Sequence, residues 1–232
     1  MDGDFILEKK LYFIDLDEKI SFSKYIRHLH FISYAKKAKI DKIRNHNEKK
    51  RILISELFLR FLVCDILNLE NKDLRFDIDF KGKPYLVNCE SFHYNISHTR
   101  NAIVIVTSKT PIGVDVEKIK TNNTKAMDRF FSQNELNYIR KLDRACCQER
   151  GFCEVWTKKE AYLKWSGTGL TWPLPEFDTL NFEISKMLKT VRVKDYVISI
   201  CYEDNENSIF VEILDENQML DKLALMMPEN PL

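Results

Sequence analysis

The sequence predicts an α+β fold in which each half of the chain runs helices first and antiparallel strands after. Three observations carry that expectation. Between Arg51 and Leu67, the residues Leu53, Leu57, Phe61 and Cys64 recur at helical spacing with Phe58, Leu62 and Ile66 alongside, which marks a buried helix. Ile112, Val114 and Val116 alternate with Gly113, Asp115 and Glu117, the period of two expected of a half-buried strand. From residue 179 onward, the runs 179–184, 189–193, 196–202 and 208–213 read as strands of a second sheet.

A chain of 232 residues can form one large domain or two small ones, and either buries a sizeable core. Its formal net charge of +1 offers no footprint for a bulk polyanion, so nucleic acid is not expected as a partner. No apolar run reaches the length of a membrane span, and MDGDFILEKK lacks the basic-then-apolar layout of a signal peptide. The expectation is a cytoplasmic protein without a membrane partner. Its six cysteines form no CxxC pair and no zinc-like spacing with histidine, which points to reduced thiols.

In chain order, residues 11–16 read as a strand and 23–31 as a helix. The segment 33–51 follows as one charged helical stretch, in which Lys36, Lys39 and Arg51 belong either to a solvated face or to a phosphate-reading patch. Within the buried helix, Glu56 and Arg60 stand at i and i+4 as an ion pair. Residues 74–80 and 85–87 read as strands around the turn Lys81-Gly82-Lys83-Pro84, where glycine frees φ and proline fixes it. Phe92, Tyr94 and Ile96 alternate with His93, Asn95 and Ser97, giving a strand that ends in Asn95-Ile96-Ser97-His98, and 102–106 is an apolar core strand. The polar run 121–124 is the expected boundary between halves, dividing the chain at 1–120 and 121–232. Ser132 and Glu135 have capping-box spacing. Residues 143–151 read as a mobile loop, 155–165 as a helix closed by Gly167, and 215–232 as a tail with an apolar stripe of Met219, Leu223 and Met226.

The chemistry concentrates in two runs. Asp115 and Glu117 project from one strand face with Cα atoms about 6.5 Å apart, near enough for both carboxylates to reach one hard cation such as Mg²⁺. In Trp156-Thr157-Lys158-Lys159-Glu160-Ala161-Tyr162-Leu163-Lys164, Glu160 and Lys164 share a helix face. Taken alone, they are a surface ion pair. Joined to the strand acids, Glu160 completes an oxygen-ligand set and Lys164 faces the phosphate that the cation holds.

PIGVDVEKIK, RFFSQNE and WTKKEAYLKWSGTGL together resemble the surfactin-type (Sfp-like) 4′-phosphopantetheinyl transferases, whose diagnostic patterns (I/V)G(I/V)D(I/V)E and W-x-x-K-E-(A/S)-x-x-K are both intact, with Ala161 placing the chain in the W-x-x-K-E-A branch. The resemblance implies a single, monomeric chain of two pseudo-symmetric subdomains, helices packed on antiparallel sheets, with coenzyme A in the cleft between. It implies transfer of the phosphopantetheine arm of coenzyme A to a serine of an apo acyl or peptidyl carrier protein, with release of 3′,5′-ADP and dependence on Mg²⁺. By resemblance, Lys36, Lys39, Arg51, Lys83, Ser97, His98 and Lys164 contact coenzyme A. Asp115, Glu117 and Glu160 hold the metal, and Glu160, Lys164 and Glu135 serve the chemistry. A metal-dependent nuclease is the rival reading of Asp115-x-Glu117-Lys118, but Lys118 points away from the face of Glu117. A coenzyme A-binding or carrier-binding protein without catalysis would call for a missing metal ligand, and none is missing.

Overall fold

The computed structural model describes residues 8–119, 127–169, 173–203 and 208–226. The expected boundary at 121–124 lies outside the described residues, as do the end of the tail and the side chain of Met226.

The first sheet has the order β4-β5-β1-β9. Strand β1 (Lys10–Asp15) pairs antiparallel with β5 (Ala102–Ser108), which pairs antiparallel with β4 (His93–Thr99). On its other side, β1 pairs in parallel with β9 (Phe210–Asp215), so Lys10 lies opposite Phe210. The second sheet is antiparallel, in the order β6 (Ile112–Lys118), β8 (Tyr196–Tyr202) and β7 (Leu188–Val193), with Asp115 opposite Ser199. A small hairpin of β2 (Phe76–Ile78) and β3 (Pro84–Leu86) carries the Lys81–Pro84 turn.

Side-chain alternation builds the layers. One face of the first sheet, with Tyr12, Ile14, Ile103 and Ile105, packs on helix α2 (His46–Leu67) and on α6 (Glu216–Met226) through Met219 and Leu223. The opposite face, with Leu11, Phe13, Val104 and Val106, meets Ile112, Val114, Val116, Ile198 and Ile200 of the second sheet. Beyond the second sheet lie α3 (Gln133–Arg140) and α4 (Ala145–Ser166). The result is helix, sheet, sheet, helix, with β5 buried on both faces.

Helix α2 begins where Asn45 accepts from the amides of Asn47 and Glu48, and ends at Asn68 in the left-handed region, φ 51°. Its expected pair forms: Arg60 Nε donates to Glu56 Oε1 at 2.8 Å, both side chains nearly buried. The charged stretch before it is not continuous. Asn45 caps α2 after a break, leaving a separate α1 (Tyr34–Asp41), and residues Phe22–Phe31 form a 3-10 helix.

Three local expectations change in the fold. The loop expected at 143–151 is the first two turns of α4, whose charges hide a buried side: Phe152 and Cys153 pack with Leu136 and Ile139, and Gly151 lies against Leu142. The strand expected at 179–184 gives way to α5 (Phe182–Ser185), because Asn181 caps it by accepting from Glu183 N, and Thr179 is held from the side by Glu135. The strand at 208–213, expected in the second sheet, is β9 of the first. Sheet membership therefore crosses the expected division at residue 120: β6 joins the second sheet, and β9 with α6 returns to the first, where the β1·β9 pair is parallel in otherwise antiparallel company.

Candidate active site

Gly113 decides how close α4 comes to β6. A Cβ built there would stand 2.2 Å from the Ala161 carbonyl oxygen and 2.4 Å from the Trp165 nitrogen, both backbone atoms. Only hydrogen fits, so the helix lies directly on the strand and brings Glu160 and Lys164 over Asp115, two residues along. Lys164 Nζ donates to Asp115 Oδ1 at 2.7 Å, and Ser97 Oγ donates to the same oxygen at 2.7 Å. Asp115 is 6% exposed. The carboxyl of Glu160 is shifted above its usual range, by burial first and then by the neighbouring charge of Asp115, with Lys164 opposing. The negative charge of Asp115 makes ionisation of Glu160 costlier, and a cation between the two relieves that cost.

Strands β4 and β6 are edge strands of different sheets, and polar side chains stitch them together. Asn95 Oδ1 accepts from the edge amide of Val114 at 2.9 Å, and Ser97 adds the bond to Asp115. Ser97, expected on a phosphate, therefore serves the carboxylate. Asn95 and Gly113 were not singled out by their types; the signal for Gly113 was a residue without a side chain on the acidic face of a strand.

Lys83 donates to the carbonyl oxygens of Ile112 at 3.2 Å and Trp165 at 3.1 Å, tying the β2·β3 turn to the start of β6 and the end of α4. Burial pushes its ammonium pKa down. Between the turn and α4 opens a cleft of about 210 Å³, lined by Lys83, Asn95, Glu160, Lys164, Gly167 and Gly169.

His98, exposed at the end of β4, meets Arg51 of α2. Partial desolvation first, then the charges of Arg51 and Lys164, lower the imidazole pKa. Arg51 Nη1 donates to the Arg100 carbonyl at 3.3 Å, while its Nε is buried without a hydrogen-bond partner among the described residues. A buried donor of that kind suits an anion. Lys36 is drawn to Glu56 Oε2 at 3.1 Å and Lys39 is exposed, both on α1.

Glu135 stands apart from this chemistry. It is 0% exposed. Its Oε1 accepts from Thr179 N and Thr179 Oγ1, and its Oε2 accepts from Ser132 N and pairs with Lys159 at 2.9 Å. Ser132 Oγ completes the capping box by accepting from Glu135 N. Both oxygens are taken by buried donors, an arrangement that fits a carboxylate holding the fold.

Asp115, Glu160 and Glu117 offer hard oxygen donors whose chemistry fits Mg²⁺. As the side chains stand, with Lys164 against Asp115, no group of three or more His, Cys, Asp or Glu among the described residues is close enough to hold a metal. Lys118 lies over the Tyr196 ring, 5.5 Å from its centroid, on the opposite face of β6. An acid-acid-lysine nuclease centre is therefore not assembled.

The family profile of the 4′-phosphopantetheinyl transferase superfamily matches residues 111–216, and that of the 4′-phosphopantetheinyl transferase N-terminal region matches 19–110. The chain is 30% identical to 4′-phosphopantetheinyl transferase Sfp of Bacillus subtilis (strain 168) over 168 residues, 72% of this chain and 75% of that one. The chain belongs to the 4′-phosphopantetheinyl transferases. This transferase is also 28% identical to the psf-1 4′-phosphopantetheinyl transferase of Bacillus pumilus over 83% of its length and 88% of the relative's. It is 25% identical to the L-aminoadipate-semialdehyde dehydrogenase-phosphopantetheinyl transferase of Xenopus laevis, over 77% of its length and 63% of that protein's. Membership implies coenzyme A as co-substrate and a carrier protein as acceptor. No helix among the described residues is long and apolar enough to cross a membrane.

Proposed function

We propose that this transferase moves the phosphopantetheine arm of coenzyme A to a serine of an apo acyl or peptidyl carrier protein, releases 3′,5′-ADP, and works as a single cytoplasmic chain that requires Mg²⁺. The observation that supports this reading best is the meeting of Asp115 with Glu160 and Lys164, two residues that line one cleft, from elements far apart in sequence. The cytoplasmic setting rests on the six free cysteines.

Asp115, Glu117 and Glu160 would hold Mg²⁺, which when bound neutralises charge on the diphosphate. The serine oxygen forms a bond to the β-phosphorus as the bond from that phosphorus to the bridging oxygen breaks, and the electron pair leaves on 3′,5′-ADP. Glu160, directly or through a water, takes the serine proton. Lys164 turns from Asp115 to the departing phosphate and offsets its charge. Arg51 and His98 receive the nucleotide phosphates at the far end of β4, where the Arg51 Nε has no other partner among the described residues. Ser97 aims Asp115. Lys83, spent on two carbonyls, holds the cleft's wall, and Lys36 and Lys39 add positive charge along α1.

Mass spectrometry of apo carrier proteins incubated with the transferase, coenzyme A and Mg²⁺ tests the reading. The expected result is the mass of one phosphopantetheine on the carrier, lost when Mg²⁺ is chelated. Carriers of fatty-acid, polyketide and peptide assembly, compared side by side, identify the acceptor. A carrier unchanged in every arm defeats the proposal.

A further inference from the structure

Glu216, the first residue of α6, is 1% exposed and sits at the centre of a buried polar network. Its Oε1 accepts from Tyr25 OH at 2.5 Å and pairs with Lys50 Nζ at 2.8 Å, and its Oε2 accepts from Asp17 N at 2.7 Å. Lys50, 3% exposed, gives its remaining hydrogens to the carbonyls of Asp17 and Ile20, each at 2.7 Å. Every donor of the ammonium is used, so neither charge can leave without stranding the other in the interior.

The network reaches the anion site by two routes. Lys50 directly precedes Arg51 in α2 and fixes the backbone from which that guanidinium springs. The loop it holds, 17–20, carries Glu18, which pairs with Arg100 Nε at 2.9 Å, and the Arg100 carbonyl accepts from Arg51 Nη1 at 3.3 Å. The element that supplies Glu216 comes from the far end of the chain, delivered by β9 alongside β1.

We propose that Glu216 and Lys50 are positioning residues that hold Arg51 in its phosphate-binding pose, so that the C-terminal strand and helix set the affinity for coenzyme A. This rests on the reading of Arg51 as a phosphate ligand. It makes the C-terminal segment part of the nucleotide site without touching the nucleotide.

The full chain carrying Glu216→Gln, Lys50→Met, Arg51→Ala or Glu216→Gln with Arg51→Ala would be compared with the wild type for 3′,5′-ADP affinity by calorimetry, for KM and kcat with coenzyme A, and for melting temperature. Glu216→Gln and Lys50→Met are expected to weaken 3′,5′-ADP binding and raise KM by about tenfold at temperatures well below melting, with kcat changed less than about twofold. In the Arg51→Ala background, Glu216→Gln should add no further loss of affinity. A folded Glu216→Gln chain with wild-type affinity, or an equal loss with and without Arg51, overturns the inference alone. A wild-type chain that binds no 3′,5′-ADP overturns the reading of Arg51 and the inference with it. Should both charge variants fail to fold, Tyr25→Phe removes a single bond to Glu216. It is expected to cost about threefold in affinity, and unchanged affinity in that variant overturns the inference.

Discussion

Asp115 receives one hydroxyl and one ammonium on a single carboxylate oxygen inside a nearly dry seam between sheets. Replacing it by asparagine keeps the shape and removes the charge that Lys164 answers. Transfer should fall at least about 100-fold while folding survives, as electrostatic groups at a reacting centre usually behave; an Asp115→Asn chain that modifies its carrier at the wild-type rate would remove Asp115 from the mechanism. Glu135 makes the opposite test. Glu135→Gln leaves Lys159, 0% exposed and with its pKa already pushed down by burial, without its counter-charge. Stability should drop by about 3–5 kcal/mol, while kcat per folded molecule stays near the wild type's. Denaturant titration and active-site counting separate the two, and a large loss of kcat in fully folded protein would return Glu135 to the chemistry. The capping box was legible in the spacing of Ser132 and Glu135. That the same carboxylate also answers Lys159 and Thr179 was not, because those partners come from segments that the local pattern does not link.

At the scale of elements, the approach of α4 to β6 matters most. Gly113→Ala forces a methyl against three backbone atoms that have no rotamer by which to yield. The helix must lift, at a cost of about 1–3 kcal/mol, and Lys164 should lose its hold on Asp115. We expect activity to fall by more than the melting temperature accounts for; full activity in a folded Gly113→Ala chain would show that close approach is dispensable. The periodicity of β6 and of residues 155–165 was readable, and both elements form. The first turns of α4 were misread because their charges conceal a buried side that exists only once α3 is in place. Residues 179–184 were misread for a related reason: their strand-like composition yields to the Asn181 cap and the Glu135 bond.

Over the whole molecule, burial sets the response to acid. His28, His93 and His98 are each held below the usual histidine value of 6.5, in every case first by desolvation. Unfolded imidazoles take up protons near 6.5 while the folded ones resist, so the unfolded state binds more protons as pH falls and stability drops below that point. Above it the stability is retained. Urea midpoints should decline between about pH 7.5 and about pH 5.5, and His28→Asn, which replaces a ring whose Nδ1 is buried without a partner among the described residues, should flatten the decline. Bound 3′,5′-ADP should also flatten it, since a phosphate beside His98 favours the protonated ring. A midpoint independent of pH over that range would contradict the desolvation of these rings.

By itself the sequence determined the local grammar: where strands alternate, where α2 runs, the Glu56–Arg60 pair, the capping box, and the two charged runs that mark the family. These are properties of neighbours a few positions apart, and periodicity and caps encode them directly. The tertiary structure decided the rest, because pairing between distant segments leaves no period to read. It set β6 in the second sheet and β9 in the first, turned Ser97 toward Asp115, spent Lys83 on two carbonyls, closed Glu135 over Lys159, and brought Glu216 from the end of the chain to Lys50. Each of those outcomes depends on which buried charge or edge amide finds its partner when the layers close, and that choice is made in space.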